Sequence, residues 1–274
     1  MTPNEFQGGI QRWHDILPTG VLATEEKSMH TDHRAYSRIS GSSAIVVCVH
    51  GIQGSPEQFR DLVSAIPECM DYMCVLLPGH GGAIGDFRRS GERDWTAYFA
   101  ALCDDLRGRY AKIYFAGHSM GCLIGIDAAA RGAIDFEGML LIACPLKIWP
   151  NFRYPAMGIK ALKDRNSTDA HVRAVQAACS LEMRNPVGLL TCVKPYIGLF
   201  ALMARANRQI GSLNANVCMI QSDGDEIVSM RSVRIAAANR NIKTIIVPDS
   251  GHFYYSPEAQ AIIRNEFRAL IAEI

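Results

Sequence analysis

The sequence predicts an α/β fold, a mostly parallel central sheet with helices on both faces and a helical insertion late in the chain. Three observations predict it. Short, continuously apolar runs of strand length alternate with longer stretches of helical spacing, the pattern of parallel strands buried on both faces by their crossover helices. The runs are rich in β-branched residues, which favours strands over pieces of buried helix. From about Pro145 to about Leu213 the alternation stops while helical spacing continues.

In chain order, Arg34–Ile39 reads as an antiparallel edge hairpin with a segment before it, and Ala44–Val49 as the first buried strand. Glu57–Ile66 has helical spacing, and Met73–Leu77 is the next strand. Trp95–Leu106 reads as a helix because Trp95, Tyr98, Phe99, Leu102 and Leu106 recur on one face. Lys112–Gly117 is a strand, Met120–Ala130 a helix of small residues, and Met139–Ala143 a strand. After the insertion come strands at Val217–Gln221 and Thr244–Val247, with a helix at Arg231–Asn239 between them and a closing helix at Pro257–Ile274. The insertion is punctuated by Pro186 and Pro195 and is densely apolar over Ile197–Met203. The expected division is a core, 1–144 and 214–274, and a helical insertion, 145–213, that would sit over the C-terminal edge of the sheet.

Composition excludes several classes. With 49% apolar and 20% charged residues in 274, the chain is long and greasy enough for a sizeable core and does not resemble a disordered one. The 28 basic and 27 acidic residues nearly cancel, and no basic arm or acidic tail stands out, so nucleic acid is not expected as a partner. No run is long enough to span a membrane. Met1–Ile10 lacks the basic start and apolar segment of a secretory signal. Nine cysteines, an odd number without a Cys-x-x-Cys pair, sit largely inside apolar runs such as Val47-Cys48-Val49. Buried, reduced thiols in a cytoplasmic protein are the expectation; a disulfide or two in an exported protein is the alternative.

The chemistry-bearing signal is Gly117-His118-Ser119-Met120-Gly121, which follows a strand and opens a helix. A serine on such a turn is lifted above the sheet and placed at an electropositive helix N-terminus. Serine needs a base to take its proton. Of eight histidines, His252 lies in the loop between the last strand and the last helix, from which it can reach over the sheet to Ser119. His118 sits inside the turn, pointing away from the working side of the hydroxyl; His50 and His80 lie in glycine-flanked loops and read as locks on them. His14, His30, His33 and His171 have no motif around them.

A third group must hold the base in one tautomer. Asp225, just after the strand Val217–Gln221, is favoured; Asp223 is its rival, and Asp249 is a third choice three residues from His252. An oxyanion would be met by the backbone N–H of Met120 and by that of Ile52, in the loop His50-Gly51-Ile52-Gln53-Gly54-Ser55-Pro56. The Ile52 side chain would line the acyl side of the pocket.

These pieces, with Leu77-Pro78-Gly79-His80-Gly81, Asp225-Glu226-Ile227-Val228 and Ser250-Gly251-His252, together resemble the α/β-hydrolase superfamily and, within it, the small carboxylesterase and monoacylglycerol-lipase group. The resemblance implies an α/β-hydrolase fold, Ser119, Asp225 and His252 as a catalytic triad, the N–H groups of Ile52 and Met120 as the oxyanion hole, and 145–213 as the cap. The chain departs from that group at Ile52, where relatives often carry an aromatic residue, and at Gln53, where they often carry a small one.

The expected activity is hydrolysis of a small-molecule carboxylic ester through an acyl-enzyme, without metal or cofactor. Another bond on the same scaffold (thioester, amide or carbon–carbon) and a non-catalytic binding protein are the alternatives. Cap residues Met157, Ile159, Leu162, Leu189, Leu190, Val193, Tyr196, Ile197, Leu199, Phe200, Leu202 and Met203 exceed what docking two helices needs. Phe200 and Met203 are thus candidates to line an apolar pocket for a short to medium acyl chain. No Gly-x-Gly-x-x-Gly follows the first central strand, which argues against a dinucleotide site. Nothing in the sequence sets an oligomeric state.

Overall fold

The protein's structure, a computed structural model, describes residues 33–149, 160–161, 163–164, 166–181, 188 and 191–272. His14, His30, Met157, Ile159, Leu162, Pro186, Leu189 and Leu190 lie outside the described residues. Ala44–Val49 is apolar and buried at every position, and the strand period of two sends its residues to two cores. Ile45, Val47 and Val49 face a cluster holding Trp95, Phe99 and Leu106. Ala44, Val46 and Cys48 face a second one holding Phe59, Phe267 and Ile271. Each such fully buried large side chain contributes about 2 kcal/mol by transfer from water.

The strands are β1 (Tyr36–Arg38), β2 (Ala44–Val49), β3 (Asp71–Val75), β4 (Lys112–His118), β5 (Gly138–Ile142), β6 (Asn216–Ser222) and β7 (Ile242–Val247), and they form one sheet in the order β1-β3-β2-β4-β5-β6-β7. Every neighbouring pair is parallel except β1 on β3. The α/β expectation holds, with six central strands within a few residues of where the apolar runs placed them.

The first strand differs in its partner. β1 is antiparallel and at the edge, but it pairs with the later β3, Tyr36 opposite Cys74 and Arg38 opposite Tyr72. Without it, β3 would leave one row of backbone groups unpaired. The pairing is locked by Arg38, whose Nη2 donates to the Met70 carbonyl at 2.8 Å and whose guanidinium lies 5.0 Å from the Tyr72 ring centre. The segment before it falls outside the described residues.

The helices are α1 (Arg60–Val63), α2 (Ile84–Arg89), α3 (Glu92–Arg107), α4 (Met120–Ala130), α5 (Ala170–Ala178), α6 (Val193–Gln209), α7 (Arg231–Ala236) and α8 (Pro257–Ile271). The stretch Glu57–Ile66 is a 3₁₀ turn, Pro56–Phe59, running into the single turn of α1. Helix α2, six residues with only Phe87 buried, is too short for its periodicity to show in the sequence. Ser256 starts α8, its Oγ accepting the Ala259 N–H at 3.2 Å ahead of Pro257. All nine cysteines are free thiols. Among the described residues no helix is long and apolar enough to cross a membrane.

Between β5 and β6 lie α5 and α6. Pro195, Gly198, Leu202, Met203 and Ala206 form the packed stripe of α6, against α3 and α4. A partly exposed ion cluster around the buried Asp127 pins it there. Asp127 of α4 accepts from Gln209 Nε2 at 3.2 Å and Arg131 Nε at 3.1 Å, with Arg205 Nε at 2.9 Å, and Arg205 Nη2 meets Glu92 at 2.6 Å. Asp127→Ala strips the shared acceptor from these donors and is expected to cost about 2 kcal/mol of stability, read as a lower urea midpoint with unchanged slope. An unchanged midpoint would count against the cluster as an anchor.

Candidate active site

β4 ends in a turn whose residue 119 has φ 52° and ψ −120°, a sparsely populated conformation for a residue with a Cβ. The turn persists because both flanks are fixed. The Ser119 N–H donates to the Ile142 carbonyl at 2.9 Å, and α4, buried along most of its length, packs directly under it. Glycine at 121 is required by close approach, since a Cβ there would lie 1.9 Å from the Val49 carbonyl oxygen. The serine is thereby raised at the N-terminus of α4, where Met120 presents a first-turn N–H.

His252 comes from the loop between β7 and α8, and Asp225 from the turn after β6. His252 Nε2 is 3.0 Å from Ser119 Oγ, and its Nδ1 is 3.0 and 3.2 Å from the two Asp225 oxygens. Asp225 is saturated. Oδ1 accepts the N–H groups of Ile227 at 2.8 Å and Val228 at 2.7 Å, and Oδ2 accepts from Gln221 Nε2 at 3.0 Å. Asp223 and Asp249, the other two candidates, are exposed. With the carboxylate on Nδ1, that nitrogen carries the proton and Nε2 offers its lone pair to the serine hydroxyl.

The electrostatics favour charge on this pair. Burial pushes the Asp225 carboxyl up, but the His252 charge and the hydrogen bonds it accepts outweigh this, and its pKa ends below the ordinary value. Burial pushes His252 down, but the negative charges of Asp225 and Glu226 and the Asp225 hydrogen bond prevail, and its pKa ends above the ordinary value. The site is thus built to accept a proton on the imidazole.

The loop after β2 lies against the serine, where a Cβ on Gly51 would be 2.9 Å from Ser119 Cβ. The Gln53 N–H is taken by His80 Nε2 at 3.1 Å, whereas the Ile52 N–H has no acceptor among the described residues. His50 locks the base of this loop, accepting the Leu77 N–H on Nε2 at 3.0 Å and donating from Nδ1 to the Gly51 carbonyl at 2.8 Å. Burial keeps both imidazoles neutral, pushing His50 well down and His80 down to about 4. His50 and His80 therefore lock loops, as their glycine-flanked positions suggest.

Four features were not legible in the sequence. The His118 ring lies buried, its centre 5.0 Å from that of His252, and donates from Nε2 to the His252 carbonyl at 2.9 Å; burial, then the His252 charge, lower its pKa to about 3. Gln53, at φ 58°, ties the loop to the insertion. Its carbonyl accepts the Ser180 N–H at 2.8 Å, and its amide donates to the Tyr196 hydroxyl of α6. His171 of α5 packs at a tilt against Tyr254, ring centres 4.5 Å apart. Glu226 accepts the His252 backbone N–H at 3.0 Å.

The two α6 candidates are not brought to the serine together. Met203 is buried in the main core cluster. Phe200, expected to line a pocket, is 53% exposed, on the same outward face as Val193 and Ile197. The reason is helical phase: the packed stripe passes through 195, 198, 202 and 206, which turns position 200 to the opposite side. Ile52 is partly buried and packs against the main core cluster.

The profile of the alpha/beta hydrolase family matches residues 46–264. Among curated proteins none matches the sequence. Solved structures similar to this chain include one from work on LipS and LipT, two metagenome-derived lipolytic enzymes, at 19% identity and TM-score 0.66, covering 88% of this chain and 98% of that one. A monoacylglycerol lipase from Paleococcus ferrophilus is similar at 16% identity and TM-score 0.62, with 87% and 98% covered. A meta-cleavage product hydrolase from Pseudomonas fluorescens is similar at 15% identity and TM-score 0.65, with 87% and 93% covered.

Proposed function

Because the chain belongs to the alpha/beta hydrolase family, we propose that it is a serine hydrolase that cleaves carboxylic esters through an acyl-enzyme, with Ser119, His252 and Asp225 as its triad. The observation that carries this is the unbroken chain Asp225–His252–Ser119, at 3.0 Å per link, ending on a strained turn at a helix N-terminus. Ser119 Oγ attacks the ester carbonyl carbon as its proton passes to His252 Nε2. The oxyanion is held by the N–H groups of Ile52 and Met120. The carbon–oxygen bond to the alcohol breaks as His252 returns the proton to it. Water then gives a proton to His252, attacks the acyl carbonyl and releases the acid, and Ser119 regains its proton.

We read 145–213 as a cap over this site. Two contacts support that: Val172 and Val175 of α5 pack against Phe253, next to the base, and Tyr196 of α6 holds Gln53, next to the oxyanion donor. The substrate is then a small ester with an apolar acyl chain of short to medium length, monoacylglycerol-like in class. Ile52 stays as the residue shaping the acyl side, with Met203 behind it only as a member of the core cluster against which Ile52 packs, and the exposure of Phe200 removes the ground for placing it there. The free thiols support a reducing, cytoplasmic setting.

A p-nitrophenyl ester series from acetate to long chains tests the reading. Inertness on every ester, with a fluorophosphonate still labelling Ser119, would mean that the bond is a thioester, amide or carbon–carbon bond. Two further outcomes are expected. kcat/KM should fall as pH drops, because a protonated His252 cannot take the serine proton, with the midpoint above the ordinary histidine value of 6.5; a midpoint below that value opposes the assignment. Tyr196→Phe should lower kcat about fivefold with a smaller change in KM, because the lost bond loosens an oxyanion donor used only in the transition state. An effect confined to KM would place Tyr196 in substrate binding instead.

A further inference from the structure

We propose that Glu226 is a positioning residue for His252, holding the backbone of the base and placing a second negative charge on that residue's main-chain N–H; the inference rests on the serine-hydrolase reading above. One turn supplies two consecutive carboxylates to one histidine. Asp225 takes the side-chain Nδ1, and Glu226 Oε2 takes the main-chain N–H at 3.0 Å. The approach is sterically specified, because a Cβ on Gly251 would lie 2.9 Å from Glu226 Oε2. On the other side of the same residue, the His252 carbonyl accepts from His118 Nε2 at 2.9 Å and from the Tyr255 hydroxyl at 3.3 Å. The backbone of the base is therefore clamped from both ends, and Glu226 is the charged member of the clamp.

The arrangement has an electrostatic consequence. Two neighbouring carboxylates repel, and the cation that relieves them is the imidazolium formed when His252 takes the serine proton. The other groups facing His252 are Ser119, the neutral ring of His118, and Tyr255; from the cap, His171 Nδ1 lies 3.2 Å from the point where a Gly251 Cβ would sit. Burial works against charge on His252, and Asp225 and then Glu226 work for it. Removing the Glu226 charge should lower the pKa of the base and leave the serine easier to activate in mild acid, with less driving force for proton uptake.

Glu226→Gln keeps an amide oxygen able to accept the His252 N–H and loses the charge; Glu226→Ala loses both. The readout is the rate of Ser119 labelling by a fluorophosphonate between pH 5 and 9, which reports the base whatever bond the enzyme cleaves. For Glu226→Gln the acid limb should move to lower pH by about half a unit, with a plateau within about threefold of wild type. For Glu226→Ala the limb should move likewise and the plateau should fall about tenfold, because the loop is no longer held. A Glu226→Gln limb that overlays wild type overturns the proposal, as does a Glu226→Ala plateau equal to wild type. Wild type that fails to label at Ser119 overturns the serine-hydrolase reading itself, a result distinct from either.

Discussion

Ser119→Ala is expected to take ester turnover to background, a loss of at least about 10⁴-fold in kcat. Nothing else in the described site can stand in for it. Among the described residues the only hydroxyl on His252 Nε2 is Ser119 Oγ, and the cysteine nearest in sequence, Cys122, faces the Gly117 carbonyl at 3.1 Å with burial pushing its thiol pKa well up. Stability should change little or rise, because the strained φ of 52° stays while a hydroxyl held only by the base is removed. Parallel p-nitrophenyl ester assays of wild type and variant check the outcome, with fluorophosphonate labelling lost in the variant. Residual activity above a few per cent would mean that another group attacks.

Asp225→Asn is expected to cost about 10⁴-fold in kcat while the fold survives. The argument lies in which oxygen is committed. Oδ1 accepts from the N–H groups of Ile227 and Val228, so an asparagine must put its carbonyl oxygen there. Its NH₂ then faces His252 Nδ1, which has to become an acceptor, and the ring proton moves to Nε2. A donor now points at Ser119 Oγ and no base is present. The same NH₂ meets Gln221 Nε2, whose amide must flip to oblige. The check is kcat/KM with circular dichroism: a large loss with an unchanged spectrum is expected, and a loss under tenfold would mean that Asp225 is dispensable for the tautomer.

Much of this was legible from local sequence. The turn that carries Ser119 is written within five residues, Gly117 to Gly121, because strand, φ-positive serine and helix N-terminus must follow one another without a gap. Buried strands announce themselves by β-branched runs, which is why Ala44–Val49 was placed to the residue. His252 was legible from its loop between the last strand and the last helix. Short elements were not: α2 has six residues and one buried side chain, too little for a period to emerge.

What the sequence by itself determined is therefore the α/β architecture and the serine on its turn, because each rests on residues near one another. Only the tertiary structure decided what depends on distant partners. It paired β1 with β3, because the unpaired side of β3 needed a strand. It separated Asp225 from Asp223 two residues away, because the turn buries one carboxylate against Ile227, Val228 and His252 and leaves the other in water. It faced Phe200 outward, because the phase of α6 is set by the stripe that docks on α3 and α4. And it brought Tyr196 to Gln53 and Glu226 to the backbone of His252, contacts between residues 143 and 26 positions apart whose pairing no local pattern encodes.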